Sequence, residues 1–143
     1  MPRADRTSGA NRSFPPGTVI PELAYADVVN ASAWLCEAFG FRERLRIGTH
    51  RVQLVFGDGA VVAIEGGTGE GGATHGVLVH VDDVDAHHER AKRVGAQILR
   101  APADHPFGER QYTAMDIGGH RWTFSQTIAD VDPTSWGGIV PKG

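Results

Sequence analysis

Cysteine is nearly absent from this chain: Cys36 stands alone among 143 residues, so no disulfide can close within it. A lone thiol fits a reducing compartment, and a cytoplasmic location is expected. No apolar run approaches the roughly 18 residues of a membrane span. Arg3 and Arg6 are not followed by the apolar stretch of a signal peptide, and no membrane partner is expected. Positive charge is not in excess. Fourteen Lys and Arg face 17 Asp and Glu, a formal net charge of -3, which argues against nucleic acid as a partner. Motifs that would name a reaction are also missing. There is no Gly-x-Ser-x-Gly elbow and no familiar Cys–His pairing, so nucleophilic catalysis has no support. The seven histidines lack HxxxH and HxH spacing. His87 and His88 are adjacent on an expected helix and diverge by about 100°, so they cannot chelate one ion; one core and one surface histidine is the better reading. The Gly66-to-Gly72 link lacks the Lys-Ser/Thr ending of a phosphate loop and reads as a flexible bridge.

What the chain does contain is an internal repeat. Ile20 to Gly67 reads strand, helix, three strands, and Thr74 to Gln126 repeats that order with a period of about 55 residues. Tyr25-Ala26-Asp27-Val28 is echoed by Val81-Asp82-Asp83-Val84, each a strand end running into a helix cap. Gly40-Phe41 is echoed by Gly95-Ala96, each closing a helix with a left-handed glycine. Asp58-Gly59 is echoed by Gly118-Gly119 before a final strand. In detail, the pattern predicts strands over 19–26, 42–47, 51–56, 60–65, 76–81, 97–100, 110–116 and 121–126. The helix after Asp82 or Asp83 turns Val84, His87 or His88, Ala91 and Val94 inward. The fold class is therefore α+β, two βαβββ modules whose strands wrap a shared cavity. A flexible N-terminal arm (1–17), broken by Pro15-Pro16-Gly17, precedes the domain at 18–127, with modules at about 18–67 and 74–127. A tail at 128–143 carries Trp136, which needs a surface to lie on, so a docked arm is expected.

Several stretches resemble a known family. Leu23-Ala24-Tyr25-Ala26-Asp27, Ala33-Trp34-Leu35 and Phe39-Gly40-Phe41 carry the resemblance in the first half. Val81-Asp82-Asp83-Val84-Asp85-Ala86, Gly95-Ala96, Phe107-Gly108-Glu109-Arg110 and Gly119-His120-Arg121-Trp122-Thr123-Phe124 carry it in the second. Over about residues 18 to 127 the chain resembles the vicinal oxygen chelate superfamily of glyoxalases, bleomycin-resistance proteins and extradiol dioxygenases, in a glyoxalase-like branch near the PhnB-type proteins. One departure is Asp116-Ile117-Gly118-Gly119, where relatives show Asp-Pro-x-Gly; this should alter the turn but not the strand.

The resemblance implies a U-shaped, cavity-enclosing mixed sheet built from the two modules, a homodimer and, in catalytic members, a divalent metal held by His, Gln or Glu from the first and last strands of each module. Those positions fall here at Ile20, near Glu65, near Gly76 with His75 one residue out of phase, and at Thr123. One clear carboxylate in four does not make a site that needs three or more protein ligands. By strand alternation Glu22, Glu65 and His80 offer another set, either for a metal or as a general base with a proton partner. The bland reading is a Glu22–His80 hydrogen bond. Arg110 suits an anionic group or, equally, a salt bridge to a nearby acid. Tyr112 follows on the same side of its strand. Trp122 and Phe124 read as core if Thr123 faces the cavity.

The expected ligand-binding set is Glu22, Gln53, Glu65, His80, Phe107, Arg110, Tyr112 and Thr123. It is too polar for a dry core, because each unpaired group would cost a few kcal/mol. The leading expectation is a binding protein for a small organic molecule, aromatic or antibiotic-like, with no cofactor. One alternative is a metal-dependent lyase, isomerase or dioxygenase with a divergent ligand set. Another is a structural or regulatory dimer. The question of enzyme or not stays open.

Overall fold

The computed structural model describes residues 11–67 and 75–141. The Gly-rich link falls mostly outside these residues, as do the first ten of the arm and the last two of the tail. The first module runs β1 (Glu22–Tyr25), α1 (Val28–Phe39), β2 (Arg42–Ile47), β3 (Arg51–Phe56) and β4 (Gly59–Glu65). The second repeats it as β5 (Gly76–His80), α2 (Val84–Val94), β6 (Gln97–His105), β7 (Glu109–Met115) and β8 (Arg121–Thr127). Each module forms one mixed four-stranded sheet, in the orders β1-β4-β3-β2 and β5-β8-β7-β6. The first strand of each pairs parallel to the last, and the other pairings are antiparallel.

The caps work as the residue types require. The Asp27 carboxylate accepts from Asn30 N–H and the Asp83 carboxylate from Ala86 N–H, satisfying donors that the first helical turn leaves free. Gly40 and Gly95 close the helices at φ 87° and 100°, a region glycine enters without a Cβ penalty. Strand β6 is longer than the sequence pattern suggests, Gln97–His105 rather than 97–100. Its register slips twice, between Ile98 and Arg100 and between Arg100 and Ala103. Such bulges break the period of two on which a strand reading depends.

A single core joins the modules. Leu23, Leu35, Phe39, Val52 and Leu54 of the first pack with Tyr112, Trp122 and Phe124 of the second. The Phe39 ring lies 5.4 Å from Trp122 and 4.8 Å from Phe124, centroid to centroid. Both helices pack against this core and against each other. The two sheets therefore face one another through their helix-bearing sides and turn their other faces outward. Strands β1 and β5 each have a hydrogen-bonded neighbour on one side only and are sheet edges.

Two polar links reinforce the junction. Asp116 at the end of β7 is buried and accepts from four donors. These are the backbone N–H groups of Gly118 and His120, the Trp122 indole N–H, and the Tyr25 hydroxyl from the other module. Burial, and then the neighbouring carboxylate, push the Tyr25 hydroxyl far above its ordinary pKa, so it stays a donor. On α2, His87 donates from Nε2 to the Phe39 carbonyl at 2.8 Å and accepts at Nδ1 from the Tyr112 hydroxyl at 2.6 Å. That pattern demands a neutral ring, and burial lowers its pKa accordingly.

Candidate functional site

The outward faces of the sheets follow from register. In the first sheet Glu22, Val62 and Gln53 are partners and share the face turned from the core. In the second, Leu78, Thr123 and Thr113 are partners, as are His80, Ser125 and Gln111. Trp122, Phe124 and Tyr112 alternate with them and are fully buried inside.

The outer face of the second sheet carries a polar depression. This depression, of about 470 Å³, is lined by Leu99, Arg100, His105, Gln111, Thr113, Arg121 and Thr123, among others. Its middle is a ladder of short polar side chains. Thr113 and Thr123 share a hydrogen bond of 3.0 Å, and Gln111 donates to Ser125 at 3.0 Å. Ser125 and Thr127 donate to the two Glu109 oxygens at 2.6 Å each, which holds that carboxyl below its usual pKa. Arg100 and Arg121 are exposed at its margin. The ladder fixes each group by its neighbours, and exposed arginines offer charge to an acidic or carbonyl-bearing ligand. A second cleft, about 530 Å³, opens between the modules where Val19, Pro21 and the β3–β4 turn approach β5. Phe41, Phe56, Val61, Val77 and Val79 make it mostly apolar, with Asp58, His80 and Asp82 among its lining.

The eight residues expected to bind ligand do not come together. Thr123 lies in the depression and Gln53 on the outer face of the first sheet. Glu22 is on that face too, but exposed and bridged to Arg51 at 2.8 Å rather than to His80. His80 stands on the outer face of the second sheet, 2.9 Å from the Thr127 hydroxyl. Phe107 sits at the β6–β7 turn, stacked on His105 and packed 5.2 Å from Trp136 of the tail.

Three placements correct the expectation. Glu65 pairs with Tyr25, which points to the core, so Glu65 lies on the opposite face from Glu22. Arg110 pairs with Gln126 on the helix side and is held by Asp85 of α2 and by Asp104, both at 3.0 Å. Tyr112 is fully buried against Phe124 and His87. The physical reason is parity: if Thr123 is outward, its neighbours Trp122 and Phe124 are inward, and Tyr112 pairs with Phe124. The depression adds Gln111, Thr113, Arg100 and Arg121, which lie outside the expected set; the parity of β7 is the signal that marks Gln111 and Thr113.

The carboxylate–histidine set for a metal does not fit. Glu22 and Glu65 lie on opposite faces of one sheet, and His80 belongs to the other sheet. Among the described residues no three His, Cys, Asp or Glu converge on a point where one ion could sit.

Comparison with known proteins agrees with the fold. TioX from Micromonospora sp. ML1 is 38% identical and superposes with a TM-score of 0.67, over 78% of this chain and 98% of that one. TnmS3 of Streptomyces sp. CB03234, an antibiotic binding protein, is 24% identical with a TM-score of 0.65, over 80% and 98%. The fosfomycin resistance protein FosX of Listeria monocytogenes shares the fold at 16% identity and a TM-score of 0.65, over 79% and 94%. An uncharacterised protein of Mycobacterium bovis is 34% identical over 65 residues, 46% of this chain and 43% of its own length. The chain thus matches less than half the length of that relative. A family description covers residues 19–124 and does not single out the PhnB-type branch. The chain belongs to the Glyoxalase/Bleomycin resistance protein/Dioxygenase superfamily.

Proposed function

We propose that the protein binds a small aromatic or antibiotic-like molecule without a catalytic metal, on the outer face of its second sheet. The observation that carries this reading is the ordered polar ladder of half-buried Gln111, Thr113 and Thr123, anchored on buried Ser125 and flanked by two exposed arginines. Polar groups held in place by one another lose little freedom when a ligand arrives. The scattered carboxylates argue against the metal-dependent alternative, since a divalent site needs three or more donors on one centre. That TnmS3, of the same fold, is an antibiotic binding protein makes this class of ligand the first to try.

The site is a half-cup in one chain, and a homodimer would complete it. Both β1 and β5 end their sheets with unpaired edges, and Leu78 on β5 is 68% exposed. An apolar edge of this kind is a template for a second copy.

The test is a thermal-shift screen of aromatic natural products and antibiotics on untagged protein, with metal content measured on the same sample. The expected result is a saturable shift by at least one compound, unchanged by EDTA and lost in Thr113→Val/Thr123→Val. Stoichiometric metal that is needed for the shift would defeat the reading in favour of a metal-dependent enzyme.

A further inference from the structure

The outer faces of the two sheets are not treated alike. On the second sheet Leu78 and His80 are exposed and Gln111, Thr113 and Thr123 half-buried, with Ser125 alone of these partners buried, under its bonds to Glu109 and Gln111. On the first, Gln53, Val55, Ala60 and Val62 are all at most 7% exposed, although they point away from the shared core and take no part in it. The chain's own N-terminal arm lies against this face at Gln53 and Arg44. Gln53 Nε2 donates to the Ser13 carbonyl at 3.0 Å, and Arg44 Nη2 donates to the Arg12 carbonyl at 3.0 Å. Arg44 Nη1 also donates to Gln53 Oε1, which fixes the amide's orientation. Pro15 is buried, and Gly17 comes down beside the Asp58 carbonyl at the β3–β4 turn. Residues 11–17, expected to be free, form no helix or strand and lie against the sheet.

We infer that this arm is a built-in surrogate ligand. The first-sheet face is a binding surface for molecules that offer two carbonyl acceptors to Gln53 and Arg44 and an apolar ring to Val55, Ala60 and Val62, and the arm must leave for them to enter. The chemistry is in the contacts. Both anchoring bonds run from receptor side chains to backbone carbonyls of the arm, so they demand acceptors and no particular arm side chain. Phe14 is 61% exposed and supplies no anchor. Pro15 brings a compact apolar ring and no N–H donor. A segment held by two side-chain bonds and one buried ring can open without disturbing the core. The ligand class is therefore a carbonyl-bearing, peptide-like or polyketide-like compound poor in donors. This goes beyond the small-molecule reading above, because it places a ligand on the other sheet, and the arm's role can be tested without the natural ligand.

The full-length chain carries the test. Trypsin cleavage at the Arg12–Ser13 bond reports release of the arm. Binding of 8-anilinonaphthalene-1-sulfonate reports the uncovered face, and a synthetic peptide spanning Asn11–Gly17 is the carbonyl-bearing probe. In Pro15→Glu, cleavage should accelerate about tenfold or more, and dye fluorescence should rise. The peptide should then compete the dye away. Adding Gln53→Ala to Pro15→Glu should abolish that competition while leaving the melting temperature within about 2 °C. Equal cleavage in wild type and Pro15→Glu, or a released arm with no gain in dye binding or no competition by the peptide, would overturn the inference. Either failure leaves the second-sheet reading standing. Absence of any hit in the compound screen on both wild type and Pro15→Glu would defeat that reading while leaving the arm's cleavage and peptide results intact.

Discussion

Asp116 carries more of the fold than any other polar side chain described here. Its carboxylate is the shared acceptor for the turn before β8, for Trp122 in the core, and for Tyr25 across the module boundary. Asp116→Ala would leave four donors without their acceptor, and the loss should reach about 3 kcal/mol or more. A fall in the urea midpoint, followed by Trp fluorescence, would register it, and Tyr25→Phe should cost about 1 kcal/mol. Ser32 presents the opposite case. Its hydroxyl is buried in α1 with no partner among the described residues, so Ser32→Ala should raise stability by about 1 kcal/mol. His87 links stability to pH. Its folded pKa lies below the ordinary 6.5, chiefly through burial, so the unfolded chain takes up its proton first as pH falls. The contribution of neutral His87 is complete above the unfolded value. It declines as pH drops through that value toward the lower folded one. Melting curves at about pH 7.5 and about pH 5.5 should show this decline, flattened in His87→Gln.

Local elements were the most legible part of the sequence, because caps and turns are written in residue types. Asp27, Gly40, Asp83 and Gly95 bound their helices where the pattern places them. Strand β6 runs past the end its sequence pattern marks because two bulges interrupt its alternation. The turn glycines also hold tertiary information that no local rule contains. A Cβ on Gly118 would stand 2.5 Å from the Tyr25 ring, and one on Gly108 would stand 2.4 Å from the Ala129 carbonyl. Gly118→Ala should therefore cost about 2 kcal/mol through overpacking at the module junction. Gly108→Ala should act on the tail, because Ile128 and Ala129 both donate to the Gly108 carbonyl. Greater protease sensitivity after residue 127 with little change in melting temperature is the expected outcome there.

At the scale of the molecule, the proposal of a cup completed by a second copy makes the oligomeric state decisive. The sheets share a core through their helix-bearing sides and turn their other faces outward, where a second copy would meet them. Light scattering should give a dimer, and Leu78→Lys should shift it toward monomer while the core and the melting curve of the monomer persist. A monomeric wild type would end the picture of a completed cup. Ligand affinity should then follow oligomeric state, with Leu78→Lys weakening a screened compound about tenfold or more.

The sequence by itself determined the repeat, the eight strands and two helices, and the core role of Trp122 and Phe124. These follow from periodicity and cap chemistry, which act over a few neighbouring residues. Only the tertiary structure decided which polar residues meet. Register between distant strands turned Tyr112 and Arg110 inward to the helices and separated Glu22 from Glu65 across one sheet. A strand's side chains alternate whatever the sequence, but which face becomes core is fixed by what packs on it. The arm shows the same limit from the other side. Pro15-Pro16-Gly17 correctly forbids helix and sheet, and yet residues 11–17 are docked, because Gln53 and Arg44 need acceptors that only the folded sheet brings within their reach.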